Sequence, residues 1–569
     1  MFKNWRVNLI LVIIFLFGGI IFSRLFYLQI IKGDFYKALA QGQQQLLLET
    51  KGERGEVYFK NAEILAMAQK EPFLFLSPKE IEEKEKTSEI LSEILDIKPE
   101  NILQKIQKEN NFYQPIKENL TPQELQQLEE LNLKGVYIDW KPKRYYPQIN
   151  TASTVIGFLN EEEKGQYGIE EYYDEILKGK EKIEKEKTTP WGFLFSFSND
   201  YLNKGVSLYL TIDYNIQFRA EKLLEEGIEK YGAKGGEIVV LEPDSGKIIA
   251  MAQYPNFNPN EYKNVEMELF QNSSISKPFE PGSIFKPITL AAALNEGKVT
   301  PETTFEDKTG FVQIGGYKIY NYAQKVWGKR TMTEVLENSI NVGAVFAQEQ
   351  LSHQNFFEYI EKFGFFEKTG VDLAGEVLSK NQEIKKALDY NIVVNFATAS
   401  FGQGIEMTPL QIARAFCVIA NGGKLPKVYV VEKKVDEDGI EEVQPEIIRE
   451  NVISPETSLD LTNMLVRVVE EGFGKQAKVP GYYIAGKTGT SQIPWSSLGI
   501  DRRGYSNETW QSFIGFAPAF DPRFVILVKL NNPTKTKTSE YSATPIFHDL
   551  AKYILDYWQI PPDYQVETE

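Results

Sequence analysis

The sequence predicts an α+β protein of three parts. An N-terminal transmembrane helix leads into an extended α+β domain without catalytic residues, followed by a large domain in which a five-stranded antiparallel sheet packs against a helical region. Three observations carry this reading. An uncharged apolar run follows a short basic terminus, strand patterns occur at both ends of residues 205–561 with helical patterns between them, and the stretch separating the two is rich in Leu, Ile, Glu and Lys and punctuated by helix-capping signals.

Lys3 and Arg6 precede the uncharged run from Val7 to Ser23, and the residues after Arg24 remain largely apolar as far as Ile31. A span of about 20 residues is therefore available if Arg24 snorkels to the interface. No small-x-small cleavage site follows, so an uncleaved anchor over 7–27 is expected instead of a signal peptide. The basic residues ahead of it keep 1–6 cytoplasmic and export the bulk of the chain, which makes this a single-pass protein of the cytoplasmic (inner) membrane.

Residues 32–203 change character. Ser77-Pro-Lys-Glu80 and Thr121-Pro-Gln-Glu124 both read as capping boxes with proline at the first helical position. The mixed-charge run Lys178 to Lys187 leads into Trp191-Gly-Phe-Leu-Phe-Ser-Phe197, which reads as a buried strand or hairpin, with an exposed contact patch as the alternative. As a whole the region is a spacer, a docking surface, or both.

In 205–561, Glu237 to Leu241 and Lys247 to Gln253 form a hairpin about Pro243-Asp-Ser-Gly246, and Phe513 to Phe516 and Arg523 to Leu530 form two further strands. With the strand that carries Lys487 these make the five-stranded sheet, assembled from both ends of the domain. Residues 260–470 supply the helices, and 562–569 form a tail.

Composition narrows the chemistry. The net charge of −16, without a basic cluster, argues against a nucleic-acid partner. The two histidines, His353 and His548, neighbour no nucleophile motif, so neither a Ser-His-Asp triad nor a histidine metal site is expected. Cys417, the single cysteine, lies in an apolar stretch and reads as a core residue.

Three motifs remain, in this order: Ser283-Ile-Phe-Lys286, Ser339-Ile-Asn341 and Lys487-Thr-Gly-Thr490. Pro281-Gly282 interrupts the chain before Ser283, and the apolar run that follows reads as a buried helix, which places Ser283 in its first turn. There the helix dipole favours a developing alkoxide. Lys286 lies about one turn later on the same face, within reach of the serine oxygen. To accept a proton it needs burial or a neighbouring cation, and Lys487 supplies the latter. The Ser339 hydroxyl is suited to relaying a proton to a leaving amine, and the Asn341 amide to holding a peptide backbone and orienting Lys286. Pro287 cannot donate to the Ser283 carbonyl, so a distorted helix start is expected. Gly489 lets another backbone approach the strand, so that an extended peptide can pair along its edge. The backbone amides of Ser283 and Thr490 are candidates for an oxyanion hole, while Lys487, Thr488 and Thr490 would meet a C-terminal carboxylate. Each motif alone is commonplace. Together, in order and in context, they describe lysine-assisted serine acyl transfer.

This triplet resembles that of the penicillin-binding proteins, the serine acyltransferases that cross-link peptidoglycan. The resemblance extends to Glu242 to Ala252, to Ser400-Phe-Gly-Gln-Gly-Ile405 with Thr408-Pro-Leu-Gln411, and to Ser512 to Pro518. More loosely, Arg54-Gly55, Gly157-Phe158 and Gly168-Ile-Glu170 look like the pedestal or dimerisation-like domain of the class B, monofunctional members. The resemblance implies a fold like that of the serine β-lactamases and a D,D-transpeptidase that acylates Ser283 with a stem peptide ending in D-Ala-D-Ala, without metal or cofactor. It also implies acylation by β-lactams. Ser339-Ile-Asn341, Phe401-Gly-Gln-Gly-Ile405 and Ile560-Pro-Pro-Asp563 look more like septal, cell-division members than elongation members, whose second motif usually carries aspartate. An elongation-type enzyme and a non-enzymatic penicillin-binding sensor or scaffold are the alternatives. A hydrolase needs a positioned base, and Glu334-Val-Leu-Glu-Asn338 precedes the second motif instead of following it, so it reads as helix surface. With no recognisable glycosyltransferase domain, a SEDS-family glycan polymerase and membrane proteins of the division complex are the expected partners.

Overall fold

The protein is described by a computed structural model over residues 5–27, 53–107, 114–179 and 204–566. The Trp191 to Phe197 run and most of Lys178 to Lys187 lie outside the described residues. The chain divides into two units, Met1–Glu53 with Gly179–Gly205, and Arg54–Lys178 with Val206–Glu569. In the first, helix α1 (Trp5–Phe26) forms where the anchor is expected, and its side chains are described from Ile14 onward. Among the described residues no helix is long and apolar enough to cross a membrane, so the transmembrane part of the expected fold is not met by them.

The second unit opens with β1 (Val57–Tyr58) and the long β2 (Ile64–Leu76), then α2 (Lys84–Leu95), α3 (Pro99–Ile106), β3 (Gln114–Lys117), α4 (Pro122–Leu131) and β4 (Val136–Tyr145). β4 pairs along the length of β2, and Leu74, Leu76, Leu91, Leu95, Ile102 and Ile106 close a small core between sheet and helices. The capping box at Thr121 forms as expected: the Glu124 N–H donates to Thr121 Oγ1 and the Thr121 N–H to the Glu124 carboxylate. The one at Ser77 does not. The Ser77 N–H is still held by the Gly135 carbonyl at the sheet end, and Glu80 is taken by the hydroxyls of Ser77 and Tyr137, so the chain makes a turn and helix α2 starts only at Lys84.

The chain continues through β5 (Ser207–Leu210), α5 (Tyr214–Tyr231), β6 (Gly235–Leu241), β7 (Ile248–Tyr254), α6 (Lys286–Asn295), α7 (Asn341–Glu349), α8 (Pro409–Ala420), β8 (Val431–Asp436), β9 (Ala485–Pro494), β10 (Tyr505–Ala517), β11 (Phe524–Asn531) and α9 (Ala543–Tyr557). The expected five-stranded sheet is present, in the order β9-β10-β11-β6-β7 with every pairing antiparallel. Period-two alternation sorts its side chains. Ile238, Val240, Phe513 and Val528 face α5 and α9, while Val239, Leu241, Ile514 and Leu527 join Ile284, Phe285, Ile288 and Phe416 on the other side. Residues 260–470 are not helical alone: Thr304–Asp307 pairs with Gly328–Thr331, and Phe311–Ile314 with Tyr317–Tyr320, beside the second motif. Of the tail, Asp563 folds back, donating its N–H to Gly481 O and accepting from Tyr483 N.

A second, seven-stranded sheet crosses residue 204. β5 pairs in parallel with β1 and antiparallel with β8, so segments from both sides of that position share one ladder. Beneath it, the fully buried Glu170 carboxylate binds Arg54 at 2.7 Å and Arg144 at 2.7 Å, and Arg54 also reaches Asp174 at 2.8 Å.

Candidate active site

Ser283 lies in a 3-10 turn, Gly282–Phe285, that runs directly into α6. Pro287 near the start of α6 accounts for the tighter geometry, since it offers no N–H for the Ser283 carbonyl, which is bonded instead by the Lys286 N–H. Gly282 has φ +59° and donates to the Gly402 carbonyl, and a Cβ on Gly402 (φ +78°) would fall 2.2 Å from Gly282 O. Both positions require glycine, which lets the Ser400–Ile405 loop brace the nucleophile turn.

Lys286 is fully buried and donates to Ser339 O at 2.5 Å and to Ser339 Oγ at 3.2 Å. Burial, helped by the charge of Lys487, lowers its pKa well below the ordinary lysine value. Lys487, on β9, is equally buried, donates to Thr488 O and Oγ1 at 3.2 and 3.3 Å, and is brought down by burial to about 7. Ser339 sits between two helices at φ +52°, a left-handed conformation for a non-glycine residue, held by the bonds Ser339 N to Leu336 O and Ile340 N to Val335 O.

Asn341 opens α7, and its amide donates to Tyr320 O at 3.0 Å. The expected contact from Asn341 to Lys286 is not made: the Lys286 amine is satisfied by Ser339, and Asn341 is fastened to the adjoining hairpin. That hairpin is fixed in turn by Asn321, which accepts from Val342 N and donates to the buried Asp307.

The third motif meets the first through Gly489. A Cβ there would lie 2.9 Å from Ile284 Cγ2 and 3.2 Å from Pro281 O, so the backbone that Gly489 admits is that of the nucleophile turn itself. β9 is nevertheless the edge strand of its sheet, and its second edge remains for an extended peptide. Thr488 is buried, whereas Thr490 is partly exposed and its hydroxyl pairs with Ser539.

Three participants were not legible in the sequence. Ser539 reaches Thr490 from the far end of the chain. Glu280, buried three residues before Ser283, accepts from the Tyr505 hydroxyl at 3.0 Å, and its carbonyl accepts from Ser491 Oγ at 2.8 Å. Burial, opposed by the bonds from Tyr505 and Gly404 and aided by Glu406, pushes the Glu280 carboxyl up to about 7. A charged residue beside Pro281-Gly282 was the sole local signal, and Tyr505 gave none.

The penicillin binding protein transpeptidase domain family matches residues 236–552, and the penicillin-binding protein dimerisation domain family matches 49–195. The chain is 34% identical to stage V sporulation protein D of Bacillus subtilis, over 94% of this chain and 83% of that one. It is 30% identical to the peptidoglycan D,D-transpeptidase FtsI homolog of Mesostigma viride, over 98% and 96%. Among solved structures, penicillin binding protein 3 of Mycobacterium tuberculosis complexed with ampicillin superposes with a TM-score of 0.70 at 25% identity, covering 91% of this chain and 98% of that one. With Lys286 bonded to Ser339, the Lys487 strand packed on the nucleophile turn through Gly489, and both domains matched, the chain belongs to the class B penicillin-binding proteins.

Proposed function

We propose that the protein is a peptidoglycan D,D-transpeptidase that works through an acyl-enzyme on Ser283. The observation that carries this is Lys286: a buried lysine, kept short of its proton, one turn from Ser283 and bonded to Ser339. Lys286 takes the Ser283 proton as the oxygen attacks the penultimate D-alanine carbonyl. The backbone N–H groups of Ser283 and Thr490 hold the oxyanion. Ser339 passes the proton to the departing D-alanine amine, and an amine of a second stem then attacks the ester and releases the serine. Thr488, Gly489 and Thr490 line the donor strand, Lys487 favours the terminal carboxylate, and the Asn341 amide oxygen accepts from a substrate N–H. Neither metal nor cofactor enters these steps.

β-Lactams acylate the same serine in this reading, which is supported by the ampicillin complex of the mycobacterial relative. A fluorescent penicillin should label the wild-type chain and fail to label Ser283→Ala. Labelling of that variant would reassign the nucleophile. Release of D-alanine with cross-linking of glycan strands separates an enzyme from a sensor.

The setting is part of the proposal: α1 anchors the chain in the cytoplasmic membrane, the catalytic domain stands outside, and a SEDS-family polymerase and division-complex proteins work beside it. Ser339-Ile-Asn341 and the likeness to an FtsI homolog and to a stage V sporulation protein support a septal role. A tagged chain should form a band at midcell; a lateral pattern would favour elongation.

A further inference from the structure

Beyond the catalytic residues, the chain between β9 and β10 builds a cavity that the mechanism does not use. It is an open, solvent-facing pocket of about 650 Å³, lined by Pro494, Ile500, Asp501, Arg502, Arg503 and Tyr505 among others, and from Gly499 to Tyr505 these residues are exposed. The loop is closed by bonds from Trp495 N to Gly504 O and from Ile500 N to Trp495 O, and the Arg502 guanidinium lies 4.8 Å over the Trp495 ring.

We infer that this cavity is a subsite for a carboxylate of the donor peptide upstream of its D-alanine pair, with Arg502 and Arg503 as its cations. The inference rests on the transpeptidase reading and names a part of the substrate that reading leaves open.

Three observations support it. The first is direction. Along β9, residues 485–489 are all buried and burial then alternates, with Thr490 partly exposed and Gln492 exposed between the buried Ser491 and Ile493, so a peptide lying on this edge at Gly489 runs past two solvent-facing positions to Pro494. At about 3.3 Å per residue the five steps from Gly489 to Pro494 span about 16 Å, the reach of four or five extended residues. A stem peptide carries its carboxylates within that distance, on the glutamyl residue and, where the diamino acid is diaminopimelate, on that residue too.

The second is charge. In a chain of net charge −16, Arg54, Arg144, Arg449 and Arg467 all sit on carboxylates. Arg502 and Arg503 have no acidic group within ion-pair distance among the described residues, Asp501 included. A guanidinium presents a planar fork that matches a carboxylate, and stacking on Trp495 presets one of the two.

The third is registration. Tyr505 borders the cavity and donates to Glu280, whose own carbonyl is held by Ser491 of β9. Only Pro281 and Gly282 separate Glu280 from Ser283. The cavity is therefore fixed to the nucleophile turn as well as to the donor strand, and Glu280 acts as a positioning residue for both.

The test uses the full chain and three stem pentapeptides: one with free carboxylates, one amidated at the glutamyl residue and one amidated at the diamino acid. The readout is kcat/KM for D-alanine release. Wild type should prefer the free-carboxylate donor about tenfold over whichever amidated donor lacks the recognised group, a charge-assisted contact of ordinary strength. That arm identifies which carboxylate is read. The preference should narrow as salt is raised, and collapse to about twofold or less in Arg502→Gln/Arg503→Gln. Arg503→Glu should turn it toward the amide. Equal use of all three donors by wild type, or a preference that survives the double substitution, overturns the subsite. Wild-type penicillin labelling tells the two readings apart: normal labelling with no donor preference refutes this inference alone, and failure to label or to release D-alanine refutes the transpeptidase reading and the subsite with it.

Discussion

Lys286→Met should lower the rate at which a fluorescent penicillin acylates Ser283 by roughly 10²- to 10⁴-fold, the usual contribution of a positioned general base. The fold should survive, since methionine fills the same buried channel without a charge. The wild-type rate should depend on pH in a defined direction. Only the neutral amine accepts a proton, and burial together with the charge of Lys487 has lowered the Lys286 pKa, while Lys487 itself titrates at about 7. Acylation should therefore rise with pH along a limb that lies well below the ordinary lysine range, and then level off. Lys487→Met removes the neighbouring charge, which allows Lys286 to hold its proton to higher pH, and the rising limb should move upward in pH. Stopped-flow acylation across pH values measures both effects. A limb that stays in place when Lys487 is replaced would show that the two lysines do not share one electrostatic balance.

The second large effect lies far from the chemistry. Glu170→Ala leaves Arg54 and Arg144 buried without their shared carboxylate, and breaking such a group from one side costs about 3–5 kcal/mol. Burial alone would raise the Glu170 pKa; the guanidinium groups of Arg144 and Arg54 overcome it and hold the carboxyl below its ordinary value. A carboxyl depressed in the folded state stabilises above its unfolded pKa, and that stabilisation is lost as pH falls through the folded pKa. Thermal unfolding should show the variant well below wild type at neutral pH and the difference shrinking in acid, below about pH 4. An equal deficit at all pH values would mean that packing, and not charge, is what Glu170 supplies.

How much of this was legible in the sequence depends on how far apart the deciding residues lie. The strands around Pro243 to Gly246 and at Phe513 to Leu530 announced themselves as short apolar runs bounded by turn residues, and a five-stranded antiparallel sheet followed. The distorted start of α6 was legible because Pro287 states its own restriction. Ser77 misled because its helix signal is intact, yet the Gly135 carbonyl, distant in sequence, holds the backbone at the sheet end. Asn341 misled for the same reason: its type fits a role at Lys286, but Tyr320 supplies a closer acceptor. Gly489 was read as an opening for substrate, and the structure fills that side with Ile284 and Pro281. No pattern links Glu280 to Tyr505, since only folding brings them to 3.0 Å.

The five-stranded sheet has a consequence for how the protein is made. β11, which sits at its centre between β10 and β6, is encoded near the end of the chain, whereas β6 precedes Ser283. During synthesis β6, β7 and the nucleophile helix emerge long before the strands they must join, and wait with a hydrophobic sheet edge unpaired. Contacts of such long sequence separation form slowly. The ribosome thus imposes a delay on the chemistry: a nascent chain stopped between Lys286 and Phe524 carries Ser283 and Lys286 but lacks the central strand of the sheet they pack against.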